Sequence, residues 1–243
     1  MAKPISAVTR ASTLRVLGLS CLTLVLSMSL GLLSTARAAV KTWGGATSGN
    51  WGTGSNWSGG SPVDGDDLVF PVPASRFTTT NNISGLNLRS ITFAGSNYVH
   101  RGNSITLTNG ITANNASRTN IIEFAIQLDA AQSFNCLNAA ATLAINGVIS
   151  GAGDLTKIGL GTLTFGGSAD NTYTGDTIVN AGILQLAKSA GWAIQHGSLT
   201  IGDGMGGSHA DIVRYTGASG SMILVGVAIT VNGFRVAGFE WTQ

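Results

Sequence analysis

Aspartates are the residues of this sequence that could carry out hydrolysis, and two of them recur one repeat apart. Cleavage of a glycosidic bond requires two carboxylates that face each other across one groove. Asp154 and Asp176 are 22 residues apart, so stacked repeats of about that length would align them. Both follow a glycine, which is typical of a turn aspartate that bonds to local backbone. We favour the turn interpretation; three further candidates qualify by type alone, Asp129, Asp170 and Asp211.

The other acidic and histidine residues do not form a recognisable catalytic or metal pattern. Asp64, Asp66 and Asp67 lie close enough in sequence to bind Ca²⁺, but they lack a longer ligand loop and also fit a solvated turn. The single glycine- and aspartate-rich stretch at 201–207 is interpreted as a plain loop. The histidines are isolated from one another: His100, His196 and His209. We therefore assign no catalytic, cofactor-binding or metal residue, and expect no cofactor.

Three tryptophans recur among small residues near the start of the chain. Trp43, Trp51 and Trp57 lie in Trp-Gly-Gly, Asn-Trp-Gly and Asn-Trp-Ser contexts. Exposed, coplanar rings would form a glycan-stacking surface, whereas buried rings would cover the open end of a repeat structure. The second interpretation is favoured, and the first is kept as the alternative.

Residues 1–38 have the features of a secretory signal peptide. A basic start precedes an apolar run from Val16 to Leu33, and Ala36-Arg37-Ala38 fits a cleavage site after Ala38. An uncleaved membrane anchor is the alternative, because the run just reaches spanning length. Removal of the segment leaves nine basic and eleven acidic residues, a net charge of −2. This balance provides no basic face for nucleic acid.

One cysteine, Cys136, remains after removal of the segment that contains Cys21. An unpaired cysteine in an exported chain is either a buried thiol or the site of an intermolecular link. Its apolar neighbours Phe134 and Leu137 favour burial.

A short apolar–x–apolar triplet recurs through the mature chain and predicts strands. Its outer residues point to one face, because side chains alternate along a strand. The steps between successive triplets are 14, 17, 21, 20, 21, 15, 14 and 16 residues. The triplets are Ile91–Phe93, Ile105–Leu107, Ile122–Phe124, Leu143–Ile145, Leu163–Phe165, Leu184–Leu186, Leu199–Ile201, Val213–Tyr215 and Ile229–Val231.

These steps favour a parallel β-helix over an antiparallel sandwich, which would need a hairpin turn about every 8–12 residues. If each triplet marked one coil, there would be about nine coils. The predicted organisation is a signal peptide at 1–38, a Trp/Gly-rich N-terminal cap at 39–67 and a β-helix at 68–243.

The stretch from residue 151 to 186 carries a family resemblance. It contains Leu-Thr-Lys-Ile-Gly-Leu-Gly-Thr-Leu-Thr-Phe from Leu155, and Asn-Thr-Tyr-Thr-Gly-Asp-Thr-Ile-Val-Asn-Ala-Gly-Ile-Leu-Gln-Leu from Asn171. It resembles the autotransporter-associated β-strand repeat, or passenger-associated transport repeat, of bacterial autotransporter passengers and other secreted proteins. The segment from Trp43 to Phe70 resembles the usual opening of such chains.

The resemblance implies an all-β, right-handed parallel β-helix (solenoid) on the exterior of a Gram-negative-type bacterium, commonly with further repeats and anchoring at the cell outer membrane. It implies a noncatalytic, structural or adhesin-like passenger segment that contacts an extracellular glycan or cell-surface components. The alternative is a β-helix that binds or cleaves polysaccharide. Self-association through the C-terminal edge, near Phe239 to Gln243, is a further expectation, and no membrane span is expected after signal cleavage.

Overall fold

The computed structural model describes residues 38–205, 210–217, 222–232 and 240–241. The predicted signal peptide lies outside these residues, apart from Ala38. His209 and most of the C-terminal edge also lie outside them. All statements about structure below refer to the described part of the chain.

Short strands form almost all of the regular structure, with one turn of 3-10 helix at Gly54–Asn56. Alternating apolar and polar residues favour strands, and the intervening Gly, Asn and Asp residues favour tight corners. The strands of the described residues are β1 Val40–Thr42, β2 Asp67–Phe70, β3 Thr78–Asn81, β4 Leu86–Phe93, β5 Val99–Gly102, β6 Ile105–Ala113, β7 Arg118–Ile122, β8 Ile126–Leu128, β9 Gln132–Cys136, β10 Ala141–Ile145, β11 Ile149–Gly151, β12 Leu155–Ile158, β13 Thr162–Phe165, β14 Thr177–Val179, β15 Gly182–Leu186, β16 Ser198–Ile201, β17 Asp211–Tyr215, β18 Ala228–Val231 and β19 Glu240–Trp241.

The strands form two parallel sheets. The first sheet has the order β1-β2-β4-β6-β9-β12-β14-β16-β18, with β8 paired to β6 and β11 to β8. The second sheet has the order β3-β5-β7-β10-β13-β15-β17-β19. Apart from three consecutive pairs within the first sheet, β1 with β2, β8 with β9 and β11 with β12, the chain alternates between the sheets. Successive coils therefore add strands to both sheets. The predicted parallel β-solenoid is confirmed, with about seven turns.

The expectation of about nine coils was wrong because the triplets alternate irregularly between the two sheets. Leu143 pairs with Leu163 and Leu163 with Leu184, so these steps of 20 and 21 residues are complete coils within the second sheet. The step of 15 residues from Leu184 to Leu199 instead crosses from β15 to β16 in the first sheet. Most short steps are therefore passages between sheets, and the 14-residue step from Ile91 to Ile105 joins two different register positions of the first sheet. The triplet pattern does not distinguish either kind of step from a complete coil.

The interior consists of ladders of side chains that repeat from coil to coil. One ladder in the first sheet runs Leu68, Ile91, Ile111, Phe134, Lys157, Val179, Ile201 and Val231. The apolar members up to Ile201 are almost fully buried, and each such side chain stabilises the fold by about 1.5–3 kcal/mol. The ladders explain why the predicted outer residues of the triplets are apolar. Lys157 is the exception in this one.

Candidate functional site

The three tryptophans form a buried cluster at the first coil. The exposed fractions are 1% for Trp43, 0% for Trp51 and 6% for Trp57. Trp57 packs edge-on against Trp43 and Trp51, with ring centroids 4.9 and 5.9 Å apart. Rings whose faces are packed in this way do not offer a flat surface to a sugar. A glycan-stacking role for these residues stays a prediction, and their burial does not support it.

The polar end of each indole is also satisfied inside the protein. Trp43 Nε1 donates to the Arg76 carbonyl, and Trp57 Nε1 donates to the Trp51 carbonyl, both at 2.8 Å. Trp51 Nε1 donates to the hydroxyl of Thr79 at 2.8 Å. These bonds orient the rings inward, as buried tryptophans require.

The segment that carries the tryptophans, residues 43–61, lies against the outer strands of both sheets; we call it the covering segment. It bonds to β1 through Ser58 N and the Thr42 carbonyl, 2.9 Å apart. It bonds to β3 through Trp51 N and the Thr80 carbonyl, also 2.9 Å apart, and through Gly49, whose carbonyl accepts from Thr80 N at 2.8 Å. A sheet edge that is hydrogen-bonded in this way is not free to pair with another chain.

His100 lies next to this cluster and is fully buried. Its Nδ1 is hydrogen-bonded to the Thr79 hydroxyl, whereas its Nε2 has no hydrogen-bond partner. The ring stacks near Phe70 and Phe93, at centroid distances of 4.2 and 5.1 Å. Burial among these rings lowers the pKa of His100 to about 3. His196, in contrast, is exposed, so the two described histidines do not form a metal pair.

Each carboxylate of the Asp64, Asp66 and Asp67 cluster has its own donor from the protein. Asp64 accepts the backbone N–H of Asn87 at 2.9 Å. Asp66 accepts backbone N–H groups from Ala39 and Val63, and Asp67 forms an ion pair with Arg89. Among the described residues, no group of three or more His, Cys, Asp or Glu side chains is arranged to hold a metal ion.

The structure aligns Asp154 and Asp176 on neighbouring coils, as their spacing predicts, and gives both a structural role. Asp154 Oδ1 accepts the backbone N–H of Asp176 at 2.8 Å. Asp176 Oδ1 in turn accepts the N–H and the hydroxyl of Ser198, at 2.7 and 2.9 Å. Both side chains thus close one corner of the solenoid along its axis. They do not face each other across a groove, as a pair of glycosidase carboxylates does.

Asp170 has the same role at another corner, where its Oδ1 accepts the backbone N–H of Trp192 at 2.7 Å. Asp211 is the first residue of β17, and partial burial together with the charge of Asp203 raises its pKa. No hydrogen bond brings Asp129, Asp170 and Asp211 together in the described structure. The five candidate aspartates are thus distributed over separate corners and strands.

Two buried lysines, Lys157 and Lys188, hold neighbouring coils together through hydrogen bonds to backbone carbonyls. Sequence reasoning missed both. Lys157 Nζ donates to the carbonyls of Ile158, Gly159 and Ala181, at 2.9, 2.7 and 2.8 Å. The Ala181 carbonyl belongs to the next coil, so the ammonium ties two coils together. The alternation in Leu155-Thr-Lys-Ile indicates this position, because Leu155 and Lys157 share one face of the strand.

Lys188 repeats the arrangement after β15. Its Nζ donates to the carbonyls of Gly166 and Ala169 on the preceding coil, at 3.0 and 2.6 Å. Burial lowers the pKa of both lysines to about 8. The two ammonium groups are enclosed by backbone carbonyls and are not arranged as nucleophiles beside a groove.

Cys136 is buried and unpaired, as its apolar neighbours predict. Burial raises the pKa of its thiol to about 11. The thiolate, which is the reactive form, is therefore scarce at neutral pH.

The outer face of the first sheet displays mainly hydroxyl and amide groups, together with two isoleucines, Ile158 and Ile178. From β6 to β16 no charged residue occupies an outward position, because Lys157 points inward. Two rows of this face are aligned by the strand register, Ser133 with Thr156 and Thr112 with Asn135. This part of the outer face is therefore uncharged.

The fold and these side-chain roles define a β-solenoid whose polar groups mainly close its coils. The family model of the passenger-associated transport repeat matches residues 155–186, so the chain carries this repeat where its sequence predicts it. The match spans β12 to β15 and includes Lys157, Asn171 and Asp176.

The chain is also similar to the adhesin BmaC autotransporter of Brucella suis biovar 1 (strain 1330). The two sequences are 28% identical over 214 residues, which include 76% of this chain and 6% of that adhesin. The chain therefore spans a small part of this relative's length. No solved structure matches the chain. In the part of the chain that the structure describes, no helix has the length and apolar character needed to cross a membrane.

Proposed function

We propose that this chain is a noncatalytic, adhesin-like segment of an autotransporter passenger, exported and displayed at the bacterial surface. The observation that carries the proposal is the passenger-associated transport repeat at residues 155–186, placed on a regular parallel β-solenoid. The similarity to an autotransporter adhesin supports it. The signal peptide predicted at 1–38, with its basic start and Ala36-Arg37-Ala38, supports export.

The corner role of the candidate acids supports a noncatalytic function over the polysaccharide-cleaving alternative. A general acid or nucleophile must be free to contact its substrate. Asp154 and Asp176 instead accept backbone N–H groups of the next coil. In this proposal they stabilise the corners and take no part in a reaction.

The proposed adhesive surface is the uncharged outer face of the first sheet. Its hydroxyl and amide groups would exchange hydrogen bonds with a neutral extracellular glycan, and no charge would have to be desolvated. The low charge of the mature chain gives no reason to expect nucleic acid as a partner.

Adhesion of inert beads coated with the full exported chain tests this proposal. Coated beads should bind glycan-bearing cells, and Thr112→Asp combined with Thr156→Asp should reduce binding several-fold. The matched control is Thr142→Asp combined with Thr164→Asp, which places two carboxylates on the outer face of the second sheet. Wild-type beads that bind no better than beads with an unrelated β-solenoid would contradict adhesion. Equal binding by both double variants would contradict the choice of face.

We further propose that copies associate through the C-terminal end of the first sheet. Ile229 and Val231 continue inward ladders from Leu199 and Ile201, yet their exposed fractions are 42% and 44%. Val231→Lys should lower the mass measured by sedimentation, whereas the outward Thr230→Lys should not. A wild-type chain that sediments as a monomer would refute this contact.

A further inference from the structure

His100 is a buried titratable group that the proposed adhesive function does not use. It lies in β5 at an inward position, where Thr79 precedes it and Ile122 follows it on the neighbouring coils. An apolar residue would fill such a position at lower cost, since one imidazole nitrogen has no partner there. The feature that distinguishes this position is its connection to the covering segment.

A short hydrogen-bonded chain links His100 to that segment. The indole N–H of Trp51 donates to Thr79 Oγ1 at 2.8 Å, and the same hydroxyl is bonded to His100 Nδ1. Because Oγ1 accepts from the indole, its own hydrogen is available to donate to Nδ1. This assignment leaves the imidazole proton on Nε2. Protonation of Nδ1 would remove the acceptor that the Thr79 hydroxyl uses.

Among the described residues, no acidic side chain pairs with His100 to stabilise a positive charge. Tyr98 is the titratable side chain beside it, 5.6 Å away between ring centroids, and burial raises the pKa of its phenol, so it stays neutral. The charged groups on the strands packed around it are engaged elsewhere: Asp67 with Arg89, and Arg101 with Glu123.

The charged side chains of the first coil are likewise bonded away from the imidazole. Lys41 Nζ donates to the Gly59 carbonyl and lies 3.9 Å from Asp66, while Arg76 donates to the Gly45 carbonyl. None of these contacts includes His100. A proton on His100 would therefore be a buried charge without a counter-charge, which is strongly unfavourable.

We propose that His100 is an acid-sensitive latch for the covering segment: protonation of its imidazole in mildly acidic medium releases residues 43–61 and uncovers the edges of β1 and β3. In neutral medium the imidazole is uncharged, and the hydrogen bonds that link Trp51, Thr79 and His100 are intact. In acid, the open form, in which the charged ring is hydrated, becomes more populated. The two freed edges are then available to pair with strands of another molecule.

The sign of the effect follows from the two pKa values. The pKa of His100 is about 3 in the closed protein, against about 6.5 when the ring is solvated. The open form therefore binds more protons between these values, and the closed form loses stability as the pH falls through this window. From pH 7.5 to pH 5 the ratio of open to closed protein should rise about thirtyfold.

Urea titration at these two pH values tests the latch. Trp192→Phe combined with Trp241→Phe leaves fluorescence from the covering segment alone, while far-UV circular dichroism follows the whole solenoid. Opening of the segment should require markedly less urea at pH 5 than at pH 7.5, and its fluorescence should change before the circular dichroism does. His100→Gln should abolish the pH dependence of the fluorescence transition.

Two controls keep the test decisive. His196→Gln removes an exposed histidine and should leave the pH dependence unchanged. His100→Phe provides a second non-titrating variant, should His100→Gln fail to fold. Equal pH dependence in wild type and in the His100 variant that folds would overturn the proposal. Coincident fluorescence and circular-dichroism transitions at pH 5 would also overturn it, because His100 would then act on the whole fold and not on the covering segment.

Discussion

Replacement of Lys157 by Met is the most informative perturbation of the repeat. Methionine keeps an unbranched stem of similar length, so the ladder between Phe134 and Val179 stays filled. The change removes the ammonium and leaves three carbonyls without their donor. The effect on stability then depends on two opposing contributions.

Loss of the donor destabilises the coil, and loss of the buried charge stabilises it. A buried acceptor left without a partner costs about 1–3 kcal/mol, so three cost about 3–9 kcal/mol. Burial lowers the pKa of Lys157 from 10.5 to about 8, which corresponds to about 3 kcal/mol at neutral pH. We expect Lys157→Met to lower the free energy of unfolding by about 3 kcal/mol.

Urea denaturation followed by circular dichroism measures this loss, and hydrogen exchange locates it. Because each coil of a solenoid contacts only its neighbours, amide exchange should accelerate in β12 to β15 and stay unchanged in β3 and β5. Lys188→Met is the matched control: its pKa is lowered to the same value, but it serves two carbonyls instead of three. It should cost less than Lys157→Met by about 1–3 kcal/mol.

A Lys157→Met variant as stable as the wild type would refute this reasoning. It would show that the desolvation of the ammonium outweighs its three hydrogen bonds, as happens in some buried ion pairs. The lysine would then be tolerated by the coil without stabilising it.

Three further predictions concern the corners and the interior. A Cβ at Gly153 would lie 2.0 Å from the Ala130 carbonyl oxygen, so Gly153→Ala should lower the thermal midpoint sharply. Gly44→Ala is the control, because the nearest atom to its added Cβ is 3.6 Å away, and it should leave the midpoint unchanged. Equal midpoints for the two variants would contradict the close approach at Gly153. Asn171 bonds an amide and a carbonyl on the two neighbouring coils at 3.1 and 3.0 Å; Asn171→Ala should cost about 2–4 kcal/mol in urea titration, and a cost under about 0.5 kcal/mol would contradict the bridging role. Because burial raises the pKa of the Cys136 thiol to about 11, a thiol reagent at pH 8 should label it only after urea unfolding, and rapid labelling of the native protein would show that the thiol is accessible.

Local sequence was sufficient to predict the class of fold. The apolar triplets alternate with polar residues, and this period of two is a property of each strand by itself. Glycine and aspartate mark the corners for local reasons of backbone conformation and hydrogen bonding. The repeat unit at 151–186 was identified by its resemblance to a known repeat, and the family model matches residues 155–186 of it.

The tertiary structure decided which triplets share a coil and what the polar residues do. Whether a triplet lies in the first or the second sheet depends on where the chain turns, and the distance between triplets does not encode this. The same indole rings would suit a sugar surface or a buried cluster, and only their position at the outer strands buries them. Lys157 and His100 belong to residue types whose side chains can carry a charge. Their interior roles are visible only in the contacts between neighbouring coils. Aspartates 22 residues apart are neighbours in space, but the donors that surround them come from the backbone of the next coil, which no single segment of sequence contains.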